Sequence, residues 1–248
     1  MSGTVYLVGA GPGAADLLTL RAARLLAEAD VVLHDALVSD EVLTLAGKAK
    51  FYNVGKRANR PSVDQRLICR LLVRMAQRYA VVVRLKGGDP NLFGRATEEL
   101  NACRAAGVAV ETVPGISAAF AAAATLNTSL TSRGVSRSVT FVTPSITRGR
   151  AEQDTHWADA AAAAETAVIY MGALQAERVM DALLARGIPA NHPVALLESV
   201  SLAGERIVRG VVSDLPALAL DLGDGPVIMV IGEAFAEARA AIAEASAA

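Results

Sequence analysis

Two glycine-bearing stretches are places where this chain could meet a small ligand with bare backbone. Gly9-Ala10-Gly11-Pro12-Gly13-Ala14 follows an apolar run and fits the G-x-G-x-x-A pattern of a dinucleotide site, with Asp35 spaced as an acid for the ribose. A pyrophosphate, however, needs free N–H groups and the positive end of a helix dipole. Asp16, read as the cap of the following helix, would put a carboxylate there, and Pro12 removes one N–H from the loop. The loop therefore suits a ligand that needs close approach but brings no phosphate; a tight strand-to-helix turn without any ligand is the plainer alternative. The second stretch, Arg84-Leu85-Lys86-Gly87-Gly88-Asp89-Pro90, pairs glycines before an Asp-Pro turn, so that amides and carbonyls can face a ligand directly; an ordinary turn at a strand end is again the alternative. Further on, Arg95 and Glu98 stand one helical turn apart on one helix face, and could be no more than a surface pair. His34, His156 and His192 have no partner pattern, and Cys69 and Cys103 sit in helical patterns without metal-ligand spacing, so no metal site is expected.

The elements that must hold these residues follow from periodicity. Apolar runs at Val5-Val8, Val31-Leu33, Phe51-Val54, Val81-Leu85 and Val108-Val113 read as strands, alternating with helical segments at Ala22-Ala29, Val63-Arg78 and Arg95-Ala105. Ser62 followed by Gln65 reads as a capping-box start for the second of these helices. Such alternation predicts a largely parallel sheet with helices on both faces, and ligands beyond the carboxyl ends of its strands. After Pro114-Gly115 an Ala-rich helix, Ser117 to Leu126, precedes strand-like runs at Ser138-Val142, Ala167-Met171, Pro193-Leu197, Glu205-Val212 and Pro226-Ile231. Arg206-Val212 alternates as an antiparallel strand does. The fold class expected is α/β with two α/β domains, 1–114 and 115–248, the second built on a mixed sheet. The stretch from Pro144 to Glu165 reads as a mobile loop plus a short helix.

The chain has 248 residues, enough to bury a sizeable core, and 53% of them are hydrophobic, much of that excess being Ala, which packs helices without spanning a membrane. The longest uncharged apolar run, Ile116 to Leu126, is too short to cross a bilayer, and Met1-Ser2-Gly3-Thr4 leads into a strand without a secretory n-region. A cytoplasmic protein with no membrane partner is expected. A formal net charge of −1 argues against a general nucleic-acid surface, so an anionic ligand must be met by a local basic patch.

These motifs, taken in order, resemble the tetrapyrrole methylase family, and within it the uroporphyrinogen-III C-methyltransferases. The resemblance runs from Tyr6 to Glu233. It rests on Val8-Gly9-Ala10-Gly11-Pro12-Gly13 with Leu17-Leu18-Thr19-Leu20, His34-Asp35-Ala36-Leu37-Val38, Val54-Gly55-Lys56-Arg57, Val83 to Pro90 with Phe93-Gly94-Arg95 and Glu98-Glu99, Val113-Pro114-Gly115-Ile116-Ser117-Ala118, and Tyr170-Met171-Gly172. It implies a homodimer that transfers two methyl groups from S-adenosyl-L-methionine (SAM) to ring carbons of uroporphyrinogen III, releasing S-adenosyl-L-homocysteine and precorrin-2, the branch compound toward sirohaem and cobalamin. It also implies that SAM lies between the domains, touched by Pro12, Gly87, Gly88, Asp89, Leu92, Ser117, Ala118, Met171 and Val200. Without the resemblance, Ser117-Ala118 would read as a plain helix start and Met171 as core filler. The chain departs from the family pattern at Ser132 (usually His), at Ala96-Thr97 (usually Gly-Gly), at Thr143-Pro144-Ser145 (usually Thr-Gly-His) and at Glu198-Ser199-Val200-Ser201, where a glycine-containing turn is usual.

Methyl transfer to carbon is an in-line displacement in which the protein chiefly positions donor and acceptor. A substrate with eight carboxylates calls for a basic mouth, for which Lys56, Arg57, Arg60, Lys86, Arg95, Arg133 and Arg137 are candidates, Arg95 being favoured as the anchor. The methylated ring must then lose a proton, and Asp35 and Glu98 are the two carboxylates placed to accept it, Asp35 being equally placed to cap the next helix. The catalytic set is therefore Asp35, Lys56, Arg95 and Glu98. The competing readings are a later cobalamin-pathway methylase or an RNA or histidine methylase of the same fold, a SAM-binding relative without turnover, and, third, an NAD oxidoreductase.

Overall fold

The structure, a computed structural model, describes residues 2–55, 64–144 and 155–236. The chain divides into two compact units, 1–118 and 119–248, where the sequence suggests a boundary at the Pro114-Gly115 turn.

The first unit is built on strands β1 (Thr4–Gly9), β2 (Val31–His34), β3 (Lys50–Asn53), β4 (Val81–Lys86) and β5 (Ala109–Val113), in the spatial order β3-β2-β4-β1-β5. Every pairing is parallel. Helices α1 (Leu20–Glu28), α2 (Asp40–Thr44), α3 (Gln65–Ala76) and α4 (Ala96–Ala105) make the crossovers. Alternate residues of each strand serve opposite faces: Val5, Leu7, Leu33 and Val82 pack with Ile68, Leu72 and Met75 of α3 and Cys103 of α4, while Val8, Val32, Val83 and Leu85 pack with Leu25 and Leu26 of α1 and Val42 of α2. The register pairs Gly9 with Lys86 and His34 with Leu85, which brings the turns after β1, β2 and β4 out along one edge of the sheet.

Three local details differ from expectation. The cap of α1 is Thr19, whose Oγ1 accepts the Ala22 N–H at 3.1 Å, and Asp16 belongs to a single 3-10 turn ahead of it. Helix α3 is capped by Asp64, which accepts the Arg66 N–H at 2.9 Å; Ser62 lies outside the described residues. The helix for which Asp35 was a candidate cap is α2, and its cap is Ser39 rather than Asp35.

The second unit carries α5 (Ala118–Thr125, its first residue the last of unit one), β6 (Val139–Val142), α6 (His156–Ala163), β7 (Thr166–Tyr170), α7 (Ala176–Leu184), β8 (Pro193–Glu198), β9 (Arg206–Val211), α8 (Leu215–Leu220) and β10 (Val227–Ile231). Its sheet, β6-β7-β10-β8-β9, is mixed: β6 and β7 are parallel, and the other pairs antiparallel. The small side chains of Ala119, Ala122 and Ala123 let α5 lie close against Val168, Leu197, Ile228 and Val230. The opposite face packs Val179 and Leu183 of α7 and Leu215 of α8 against Ile169, Leu196 and Met229. Of the stretch expected as loop plus helix, residues 145–154 lie outside the described residues and α6 is the helix.

Candidate functional site

The turns after β1, β4 and β5 meet backbone to backbone. Gly88 donates its N–H to the Gly11 carbonyl at 2.7 Å, Gly11 returns a bond to Gly88 O at 3.3 Å, and Ala10 N–H reaches Lys86 O at 2.7 Å. A Cβ on Gly115 would stand 2.3 Å from Gly88 O, and one on Gly9 2.5 Å from Gly115 N, so no side chain is tolerated where these strand ends converge. Asp89 locks the arrangement: its Oδ2 accepts the Gly115 N–H at 3.0 Å and its Oδ1 that of Asn91 at 2.7 Å. Gly88 itself, at φ +65°, presents its Cβ direction to open space, the nearest atom being Ser117 Cα at 3.9 Å. Gly88, Asp89, Gly115 and Ser117 are thus brought together at the carboxyl edge of the first unit's sheet, with Pro12 next in chain to Gly11 and with Gly87 facing Leu37, 3.2 Å from a Cβ placed on it.

The case against a pyrophosphate survives with a different cause. The N-terminus of α1 is separated from Gly13 by the 3-10 turn and is already capped by Thr19, while the Gly11 N–H is engaged by Gly88. Little positive potential is left for a phosphate, as the P-loop and dinucleotide folds require. Ser39 adds a brace, donating its hydroxyl to Gly13 O at 2.7 Å.

Behind this edge lies a buried ionic network that sequence reasoning missed. Arg84 and Lys86, 2% and 3% exposed, both point from the central strand β4 toward α3 and α4. Arg84 Nη2 reaches Asp35 Oδ1 at 2.5 Å, its Nε reaches Glu99 Oε1 at 3.1 Å, and its Nη1 donates to Leu85 O at 3.0 Å. Lys86 Nζ bonds both oxygens of Glu99, at 3.2 and 3.1 Å, and Gln65 Nε2 is a third donor, making the fourth bond at 3.0 Å. Burial pushes Arg84 down, but Asp35 and Glu99 outweigh it and hold the guanidinium above its ordinary value; burial, reinforced by Arg84, leaves Lys86 below its own. Lys86 is therefore a core cation rather than part of a basic mouth. The signal available was an arginine and a lysine in Val81-Val82-Val83-Arg84-Leu85-Lys86, since charges on a buried strand demand buried partners.

Arg95 caps α4 in a left-handed conformation, φ +56°, and grips Glu98 with a bidentate pair at 2.8 Å from both Nε and Nη2. Both side chains are about half exposed, 57% and 50%. Lys56, Arg57 and Arg60 lie outside the described residues. Arg133 is exposed, and Arg137 faces Glu165 at 3.7 Å. His34 is buried with Nδ1 against Asp35 O at 3.1 Å, and His192 pairs with Glu233 at 3.2 Å. Cys69 and Cys103 are free thiols, Cys103 pushed up to about 11 by burial.

Backbone strain marks the same positions. Among the described residues the non-glycines at positive φ are Phe93, Arg95, Asn127, Met171, Ser199 and Ser201. Apart from Asn127, each is a candidate residue or the neighbour of one: Phe93 adjoins Leu92, and Ser199 and Ser201 flank Val200. Left-handed non-glycine residues cost of order 1 kcal/mol or more and cluster at functional sites. Met171, at the exit of β7, is 52% exposed, which is not the behaviour of core filler. Val200 is buried at 5%, packed in the core beside α5. Glu198 steadies its turn, accepting N–H bonds from Gly223 at 2.9 Å and Gly225 at 2.6 Å.

Comparison with known proteins agrees with the motif order. The family model for tetrapyrrole (corrin/porphyrin) methylases matches residues 4–216. A siroheme synthase of Tolumonas auensis is 44% identical over 93% of this chain, which spans 49% of that protein; the chain thus covers about half the length of such relatives. The crystal structure of a uroporphyrin-III C-methyltransferase from Thermus thermophilus, complexed with S-adenosylhomocysteine, is 38% identical, covers 94% of this chain and 98% of its own, and superposes with a TM-score of 0.81. A cobalt precorrin-4 methyltransferase is 28% identical over 93% of this chain and 95% of its own, with a TM-score of 0.80. With the family model covering most of its length and the same two-sheet fold, the chain belongs to the tetrapyrrole methylases.

Proposed function

We propose that this chain is a SAM-dependent C-methyltransferase that methylates uroporphyrinogen III twice to give precorrin-2. The observation that carries the reading is the open backbone at Gly88, beside a glycine loop whose Ala10 and Gly11 N–H groups are already engaged. It fits a ligand without phosphate, as SAM is, and the Thermus thermophilus relative bound to S-adenosylhomocysteine is more similar than the cobalt precorrin-4 enzyme. Bound SAM supplies a methyl group on a sulfonium. The chain's part is to hold that group in line with a ring carbon, and the residues proposed to contact SAM are Pro12, Gly87, Gly88, Asp89, Leu92, Ser117, Ala118, Met171 and Val200.

Arg95 anchors a substrate carboxylate, exchanging Glu98 for it. That exchange is cheap because the Arg95–Glu98 pair is exposed and screened. Asp35, half-buried and oriented by Arg84, takes the proton that the cationic methylated ring gives up from a ring N–H or bridging carbon, the methylated carbon itself being quaternary, and Lys56 belongs to the basic mouth around the substrate. Glu98, committed to Arg95 at the surface, is the weaker candidate base. The active form is a homodimer, and a monomer by light scattering at micromolar concentration would overturn that part. Equilibrium dialysis against SAM, NAD and uroporphyrinogen III separates the readings: retention of SAM and the tetrapyrrole but not NAD is expected, and retention of NAD alone would overturn the proposal.

A further inference from the structure

Glu99 has no place in the chemistry described so far, yet it is the hub of the buried network and is fully buried. Burying Arg84 and Lys86 of the central strand with Glu99 of α4 and the partly buried Asp35 after β2 is costly, because taking charges out of water is repaid only by good geometry, and well-packed apolar side chains often serve stability as well or better. Stability alone therefore does not account for the cluster, whereas its geometry does specify something: the direction of one carboxylate. The guanidinium of Arg84 is planar and is held at three of its edges, by Glu99 at Nε, by the Leu85 and Leu33 carbonyls at Nη1, and by Asp35 at Nη2. Glu99 cannot swing away, since Lys86 bonds both its oxygens and Gln65 from α3 bonds one. The position of Asp35 Oδ1 at the carboxyl end of β2 is thus determined by a residue on α4.

The geometry points to Glu99 as a positioning residue that acts through Arg84 to fix the Asp35 carboxylate for proton removal. This inference rests on Asp35 being the base. Arg84 is the link because its rigid fork can bond two carboxylates in one plane, which a lysine could not do. Lys86 keeps the buried charge balanced, so that Arg84 answers to Asp35 and Glu99 together rather than collapsing onto either.

A double-mutant cycle tests it, with Glu99→Gln, Asp35→Asn and the double variant assayed for SAM affinity by calorimetry and for methylation by product mass over extended single-turnover incubations. Glu99→Gln should lower kcat by tenfold or more while leaving SAM affinity and the KM for uroporphyrinogen III within about twofold. In the Asp35→Asn background the same substitution should have almost no further effect, because the group it positions is already lost. A role in folding alone would reduce the rate by the same factor in both backgrounds, and that result, or a parent-like rate for Glu99→Gln, overturns the inference while leaving Asp35 as base. Asp35→Asn turning over at the parent rate removes the base assignment itself, and the inference with it. Should Glu99→Gln not fold, Arg84→Lys, which keeps the charge and loses the fork, takes its place in the same cycle with the same expected and overturning outcomes.

Discussion

The carboxylate of Asp89 accepts the backbone N–H of Gly115 at 3.0 Å, fastening the turn after β4 to the turn after β5. Its other oxygen closes its own loop on Asn91, so Asp89 clamps the backbone around Gly88 whatever else it touches. Removing the clamp frees both turns to move. Asp89→Ala should weaken SAM binding by roughly tenfold or more, the scale of a lost charge-assisted hydrogen bond at about 1.5–3 kcal/mol. Asp89→Asn, which keeps an acceptor for one of the two N–H groups, should lose less. Calorimetric titration with SAM reads both, and equal affinity for Asp89→Ala and parent would show that the clamp does not matter to the ligand.

Gly88→Val should abolish SAM binding, but valine at φ +65° also strains the backbone by about 1–2 kcal/mol. Gly107 supplies the control: it has the same φ of +65° in the same unit, with nothing within 4 Å of a Cβ. Gly107→Val should therefore suffer a similar drop in denaturation midpoint and bind SAM normally. If both variants lose SAM equally, strain rather than occupied ligand space explains the Gly88 effect.

Arg95→Leu should bind SAM like the parent and methylate far more slowly. A charge-assisted anchor in a closed cleft is worth about 2–5 kcal/mol, a loss well beyond tenfold, whereas breaking the exposed pair with Glu98 costs little by itself. Methylation near the parent rate would move the anchor to Lys56, Arg57 or Arg133.

How much of this could be read from the chain depended on range. Strands of the first unit were legible because runs such as Val81-Val82-Val83 are β-branched and the strand stops at Gly87, and the two loops singled out as ligand candidates announced themselves through their glycines. Caps were less legible: Thr19 and Asp16 are both acceptable caps by type, and only the 3-10 turn between them decides. The ionic network was hidden because Glu98 and Glu99 are neighbours in sequence, yet a helix turns about 100° per residue, which leaves Glu98 half exposed and Glu99 fully buried. Partners of Arg84 come from β2 and α4, and nothing local in the sequence pairs them.

Stability should carry a signature from Glu198. Bonds from the Gly223 and Gly225 amides hold its carboxyl below the ordinary value near 4.5. A depressed carboxyl stabilises the fold above 4.5, and that contribution is lost as pH falls from 4.5 through the folded value. Glu198→Gln should therefore be less stable than the parent at pH 7, and the gap should narrow on acidification below 4.5. Denaturation midpoints of the two proteins across that range check it; a constant gap would mean the carboxylate charge is not what steadies the Val200 turn.

The most direct measurement of the whole account is the mass of the tetrapyrrole after anaerobic incubation of uroporphyrinogen III with the protein and SAM, followed over time. A singly methylated species that rises and gives way to one heavier by two methyl groups is the predicted course, with S-adenosylhomocysteine formed in proportion. An unchanged tetrapyrrole in the presence of bound SAM, or methylation only of a later corrin precursor, would contradict it.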